Sequence, residues 1–300
     1  MPEPPRVSVI MRSRNSERWI EAALGGLFGQ SFRDIEVLVV DSGSRDATLE
    51  IASRFPCRII GIPAESYFPG RVLNRAIPET AGEVLVFQNS DCIPAHENVL
   101  AALLEAFWAA EAEAAFGRQT PRADAWPWVR RDYARAYPAT GPAPGWLPLS
   151  LAFAAMRRSS WRERPFYETA WGSEDIEWGT WARKTGRKVV YVPAAAVEHS
   201  HNYTLRQLYG RRFIEGEADA FIHGGRNRWR DLSGRWVRAI ARDVMDGCRE
   251  GEWKDLVGTP VRRWIYHWAY HRGHRHGERR ISRQDGDGGL GQRVVLERQE

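Results

Sequence analysis

Short apolar runs that alternate with helical stretches constrain this chain more than any other feature. VSVIM at 7–11, IEVLVV at 35–40, CRIIGI at 57–62 and VLVF at 84–87 are continuous and β-rich, as strands covered on both faces must be. Between the first two, Trp19, Ile20, Ala23, Leu24 and Leu27 keep helical spacing after Asn15 and Ser16, residue types that cap helices. Residues 47–55 resume that spacing, and a loop with Pro63, Pro69 and Gly70 leads into a helix carrying Arg71 and Asn74. Strands alternating with short helices predict an α/β fold with a mostly parallel, doubly wound sheet and right-handed crossovers.

In such sheets ligands bind in the crevice outside the carboxyl ends of the strands. The polar residues there are Arg14 and Asn15 after the first strand, Asp41, Ser42 and Asp46 after the second, and Asn89, Ser90 and Asp91 after the fourth. The first loop, MRSRN, has no glycine, so the dinucleotide fingerprint is missing, which argues against a nicotinamide or flavin oxidoreductase. A sugar nucleotidyltransferase is disfavoured too, since a glycine-rich phosphate loop is expected at that place. Acidic groups at successive strand ends suit a nucleotide held by base and ribose, its diphosphate resting on a metal ion. For Asp91 in VLVFQNSDCIP two readings stand level on the residues alone: a cation-holding carboxylate, or the cap of a helix that begins near Pro94.

The three cysteines, Cys57, Cys92 and Cys248, have no CxxC spacing, so a reducing, cytoplasmic setting is expected. MPEPPRVSVIM lacks the pattern of a signal peptide, and no apolar run approaches the roughly 18 residues of a transmembrane helix. The chain is therefore expected in solution or peripheral at the inner face of a membrane. A net charge of +5 admits anionic partners, but basic residues are interspersed with acids and no recognition motif appears, which sets nucleic acid aside.

Further on, a helix is expected over about 95–110 and a strand over 114–119, followed by a Pro-, Trp- and Arg-rich segment without clean periodicity. Its aromatics Trp126, Trp128, Tyr133, Tyr137 and Trp146 either stack on a sugar or pack. Residues 149–156 read as a buried strand. Ser173 is the expected cap of a helix with Glu174, Asp175 and Glu177 in its first turn, where the macrodipole favours acids. A strand over 188–192 precedes Val197-Glu198-His199-Ser200-His201, whose histidines either bind metal or only hydrogen-bond.

VSVIMRSRN, VLVVDSGSRDATLEIA, NRAIPETAGEVLVFQNSDCIP, WGSEDIEWGTWARKTGRKVVYVP and AAVEHSHNYTLRQLYGRRF occur in this order over roughly 7–215. Together they resemble the inverting family 2 glycosyltransferases with the nucleotide-diphospho-sugar (GT-A) fold, and rhamnosyltransferase-type members above cellulose- or chitin-synthase-like ones. The resemblance implies a catalytic domain over 1–202 that binds a nucleotide-diphospho-sugar and a divalent cation, Mg²⁺ or Mn²⁺. It implies that Asp41 contacts the donor base, that Asp46 supports that loop, and that Asn89-Ser90-Asp91 stands where the family has its Asp-x-Asp metal motif. It also implies Asp175 as catalytic base and His199 as a late metal or diphosphate ligand. Glu174 is expected to position the acceptor or orient Asp175, and Arg71 to reach phosphate. The acceptor is expected to be a glycan or a polyprenyl-linked sugar. Asn89 departs from the pattern, because an amide brings no charge to a cation. A catalytically impaired binder of glycan or nucleotide, retaining the fold, is the rival that this departure supports.

From 203 to 281 the pattern turns helical. Leu232, Trp236, Val237, Ile240, Val244 and Met245 form one apolar stripe, and Thr259-Pro260 opens a helix with Val261, Trp264, Ile265 and Trp268 on one side. These helices are expected to dock on the catalytic domain, on a second copy, or on lipid. His271-Arg272-Gly273-His274-Arg275-His276 reads as an exposed basic tail, and 282–300 as disordered.

Overall fold

The computed structural model describes residues 7–64, 67–225 and 229–283. They fall into two compact units: residues 7–123, 133–167 and 174–200 form the first, and 124–132, 168–173 and 201–283 the second.

In the first unit the chain runs β1 (Val7–Ser13), α1 (Ile20–Phe28), β2 (Ile35–Asp41), α2 (Thr48–Ala52), β3 (Arg58–Gly61), α3 (Pro69–Ala76), β4 (Val84–Asn89), β5 (Ile93–Pro94), α4 (Val99–Ala109) and β6 (Ala114–Thr120). Helix α5 (Pro127–Ala136) starts in the second unit and ends in the first, before β7 (Phe153–Arg157), α6 (Arg158–Glu163), α7 (Glu174–Lys184) and β8 (Val189–Glu198). The sheet order is β3-β2-β1-β4-β7-β6-β8-β5. Strands β1 to β4 are parallel, β7 runs against β4 and β6, and β8 is parallel to β6.

Alternation along β1 shows why both faces need cover. Val7, Val9 and Met11 join one buried cluster with Leu24 of α1 and Leu103 of α4, while Ile10 joins another with Leu73 of α3 and Trp178 of α7. The expected strand at 188–192 extends to Glu198 through an irregularity beside Gly117. A Cβ on Gly117 would strike the Ala195 carbonyl oxygen, so only glycine lets the strands close there.

Three local expectations are corrected. Helix α4 begins at Val99, after a short strand at Ile93–Pro94, so Asp91 does not cap it. Ser16 starts α1 with its backbone carbonyl, which accepts from the N–H groups of Trp19 and Ile20; its hydroxyl is turned to Ser90. Ser173 has φ +62°, in the left-handed region and not the extended backbone usual for a cap.

The second unit is built on α8 (Leu205–His223), α9 (Trp229–Glu250), α10 (Trp253–Leu256) and α11 (Thr259–Arg283). Helices α8 and α11 approach closely because Gly216, Gly273 and Gly277 leave no room for a Cβ. The buried face of α9 follows the expected stripe only in part: Leu232 is buried, but Val237, Val244 and Met245 are exposed, and Ala239 and Asp243 are buried in their place. Asp243 is drawn inward by Arg263 of α11, whose guanidinium also holds Asp132 of α5 at 2.7 Å. The histidine segment is no exposed tail either. It lies within α11, with His271 and His274 buried. Of the expected disordered stretch, 284–300 lies outside the described residues. Among the described residues no helix is long and apolar enough to cross a membrane.

Candidate active site

Register places the strand-end residues at one level. Ser13 of β1 lies opposite Asp41 of β2, and Arg12 opposite Asn89 of β4. The β2 loop is self-held: Asp41 Oδ2 accepts from the N–H groups of Gly43 and Ser44 at 2.9 Å, and Oδ1 from the Ser44 hydroxyl. Asn15 ties the β1 loop to it, donating its N–H to Ser44 Oγ and accepting from Arg45 N, each at 2.9 Å. Asp46 accepts from Thr48 and from the Glu17 N–H. Burial alone would raise its carboxyl pKa, but these hydrogen bonds outweigh burial and hold it below the usual range. Ser42 is buried. Arg14 points two guanidinium N–H groups, at Nε and Nη1, at no hydrogen-bond acceptor among the described residues.

Asn74 lies deeper. Its amide oxygen accepts from Trp161 Nε1 and Phe166 N at 3.0 Å, and its nitrogen donates to the Phe166 carbonyl at 2.7 Å, so it pins residues 161–166. Arg71 is exposed, over the Phe68 ring.

The short ribbon of β5 on β8, Ile93 opposite Glu198, folds the loop after β4 onto the end of β8. That contact sets Asp91 Oδ1 3.4 Å from His199 Nε2. Ser90, alongside, shares a 2.7 Å hydrogen bond with Ser16 and donates its N–H to the Arg12 carbonyl. On its other side His199 Nδ1 is 2.7 Å from Gln119 Oε1, and its backbone N–H donates to Thr120. Asp91 and His199 fit a divalent cation, since neighbouring ligand atoms around an octahedral ion with bonds of about 2.1 Å lie about 3 Å apart. His201 stacks on Tyr203.

Helix α7 carries the two acids of its first turn to different partners. Glu174 is buried and pairs with Arg12 Nη1 at 2.5 Å. Asp175 accepts from Ile176 N at 2.8 Å and Leu151 N at 3.3 Å, which orients its carboxylate. Burial is the largest single influence on the Arg12 pKa and would lower it, but Glu174, Tyr67 and Asp175 together outweigh burial and raise it.

Three residues of this edge escaped the sequence reading. Arg12 is the last residue but one of a buried strand, and a cation there must find a carboxylate, which is a signal in itself. Arg122 lies 3.9 Å over the Trp19 ring and 3.8 Å from Asp91 Oδ2, and donates to the carbonyls of Asp91 and Ser200. It sits in the stretch without periodicity, where no signal marked it. Gln119 is a lone amide near the end of a buried strand.

The profile of the family described as "Glycosyl transferase family 2" matches residues 8–172. The O-antigen chain rhamnosyltransferase RfbN of Salmonella typhimurium is 28% identical over 224 residues, 70% of this chain and 71% of that protein. The O-antigen chain rhamnosyltransferase WbaN of Salmonella anatum is 30% identical over 62% of this chain and 63% of its own length, under two-thirds of it. Among solved structures, the mannosyltransferase PcManGT from Pyrobaculum calidifontis in complex with GDP-Man and Mn²⁺ is similar at a TM-score of 0.58 and 17% identity, covering 99% of this chain and 79% of that one. TarS of S. aureus in complex with UDP-GlcNAc is similar at 0.52 and 16%, covering 94% and 93%. At these identities the structural likeness carries the fold alone: a mixed, mostly parallel sheet flanked by helices, of the GT-A type.

Proposed function

Since this chain belongs to glycosyl transferase family 2 and is a glycosyltransferase, we propose that it moves a deoxyhexose such as rhamnose, with inversion, from a nucleotide diphosphate to a hydroxyl of a glycan or polyprenyl-linked acceptor in surface polysaccharide synthesis. The names of the two relatives from Salmonella support the sugar and the setting. The observation that carries the chemistry is the meeting, at one edge of the sheet, of the Asp91–His199 pair with the Arg12–Glu174 tie that fastens the first turn of α7 to β1.

In this reading Asp175 is the general base. Its carboxylate, oriented by two backbone N–H groups, takes the proton of the acceptor hydroxyl as that oxygen attacks the anomeric carbon from the side opposite the nucleotide. Such help is worth about 10²- to 10⁴-fold. Asp91 and His199 would hold Mg²⁺ or Mn²⁺, which supplies positive charge to the diphosphate as it leaves. Arg14 offers its two N–H groups at the β1 end to an anionic donor, and Arg71 reaches phosphate from the start of α3. The turn closed by Asp41 and Asp46 gives the base and ribose a fixed edge, with Ser42, Asn15, Asn89 and Ser90 around it, while Asn74 pins residues 161–166. Glu174 acts through Arg12 on the placement of α7.

Asn89 favours the second reading, an impaired binder, since it leaves one carboxylate in the motif. Incubating the full chain with dTDP-rhamnose and other nucleotide-sugars, with and without Mn²⁺, separates the two. A Mn²⁺-dependent thermal shift with release of nucleoside diphosphate is expected; binding with neither transfer nor hydrolysis would favour the binder.

A further inference from the structure

Gln119 lies on β6 with 4% of its surface exposed, and its amide is oriented by what it touches. Its Nε2 donates to Tyr137 Oη at 2.6 Å and to Ser150 Oγ at 2.9 Å, which uses both N–H bonds; Tyr137 gives its own O–H proton to Ser150 Oγ at 3.3 Å and so accepts from the amide. The amide oxygen is thereby the atom turned to His199, 2.7 Å from Nδ1. An amide oxygen only accepts, so the proton of that hydrogen bond belongs to Nδ1. A neutral imidazole protonated at Nδ1 carries its lone pair on Nε2, the nitrogen 3.4 Å from Asp91 Oδ1.

We infer that Gln119 is a positioning residue which fixes His199 in the Nδ1–H tautomer and presents Nε2 to a divalent cation shared with Asp91, with Tyr137 and Ser150 setting the sense of the Gln119 amide. The inference rests on the cation reading of Asp91 and His199. With the amide reversed, Nε2 of Gln119 would donate to Nδ1, the ring proton would move to Nε2, and an N–H would face Asp91 where a ligand atom is needed. The hydroxyls of Tyr137 and Ser150 thus act on the cation site through two intervening side chains. A neutral partner also leaves the charge of the site to Asp91, in keeping with a motif that already holds Asn89 in place of a carboxylate.

Two measurements on the full chain test this. In ¹⁵N-histidine-labelled, metal-free protein, long-range proton–nitrogen correlation reads which ring nitrogen of His199 bears a proton. A proton on Nδ1 is expected, and a bare Nδ1 overturns the inference with no variant needed. Calorimetric titration with Mn²⁺ reads the consequence. Gln119→Met is expected to weaken binding by about 10- to 100-fold, and Gln119→Glu, which can only accept, to stay within about threefold of the parent. In a His199→Ala background Gln119→Met should add less than about threefold. Equal binding by Gln119→Met, or an equal loss without His199, overturns the role of Gln119. A parent chain that takes up no Mn²⁺ overturns the cation reading itself, and so fails at a different step.

Discussion

Arg12→Met removes one partner of a buried ion pair and leaves the other in place. The Arg12 side chain is 18% exposed and that of Glu174 8%, and they meet at 2.5 Å. Truncating one member of such a pair costs about 3–5 kcal/mol, chiefly because the remaining charge stays buried without its counterion. The partial exposure of Arg12 argues for the lower end, about 3 kcal/mol, which for a unit of this size is a fall of about 6–12 °C in Tm. Thermal and urea unfolding followed by circular dichroism measure it, alongside Arg12→Met/Glu174→Gln. The double variant buries no charge at this place and should recover about 2 kcal/mol relative to the sum of the single costs. A cost below about 1 kcal/mol for Arg12→Met, or strictly additive costs, would refute the claim that this pair fastens α7 to β1.

Two further outcomes are expected. Arg14→Ala should weaken donor nucleotide binding about tenfold, the loss of one charge-assisted contact, with thermal stability nearly unchanged; calorimetry with the nucleoside diphosphate reads it. In the helical unit, burial first and then Arg212, Arg263, Arg235 and Arg242 push the pKa of His267 down to about 4. Because the folded value lies below the unfolded one, the contribution is fully present above about pH 6.5 and is lost as pH falls toward 4. His267→Gln should flatten that slope by about 2 kcal/mol between pH 7 and 4, after allowance for solvent screening, in urea titrations at each pH. An unchanged slope would contradict the placement of the ring.

The strand–helix succession of the first unit was legible because strands covered on both faces must be apolar throughout, and VSVIM and VLVF could be nothing else within a short span. The direction of β7 was not, since a buried antiparallel strand has the same composition as a parallel one. Helix α5 escaped because its buried residues, Trp128, Val129 and Arg131, do not read as an apolar stripe: Arg131 is inside for Glu250 and Asp255. The face of α9 was misread for the same reason, Asp243 being buried by its ion pair with Arg263. At the site, Asp91 and Asp175 stand out by motif, whereas Arg12 and Glu174 are 162 residues apart, and Gln119 and His199 are 80 apart. Pairings at that range are set by the fold, and no local pattern announces them.

Asp175→Asn keeps the shape of the side chain and, through its one amide oxygen, one of the two backbone hydrogen bonds, and it removes the capacity to take a proton. With the preferred nucleotide-sugar as donor, turnover and donor affinity are measured on the same preparation. Turnover should fall by about 10²- to 10⁴-fold while the Kd for the donor nucleotide stays within about threefold. Turnover kept within tenfold, or affinity falling in step with turnover, would contradict Asp175 as the general base.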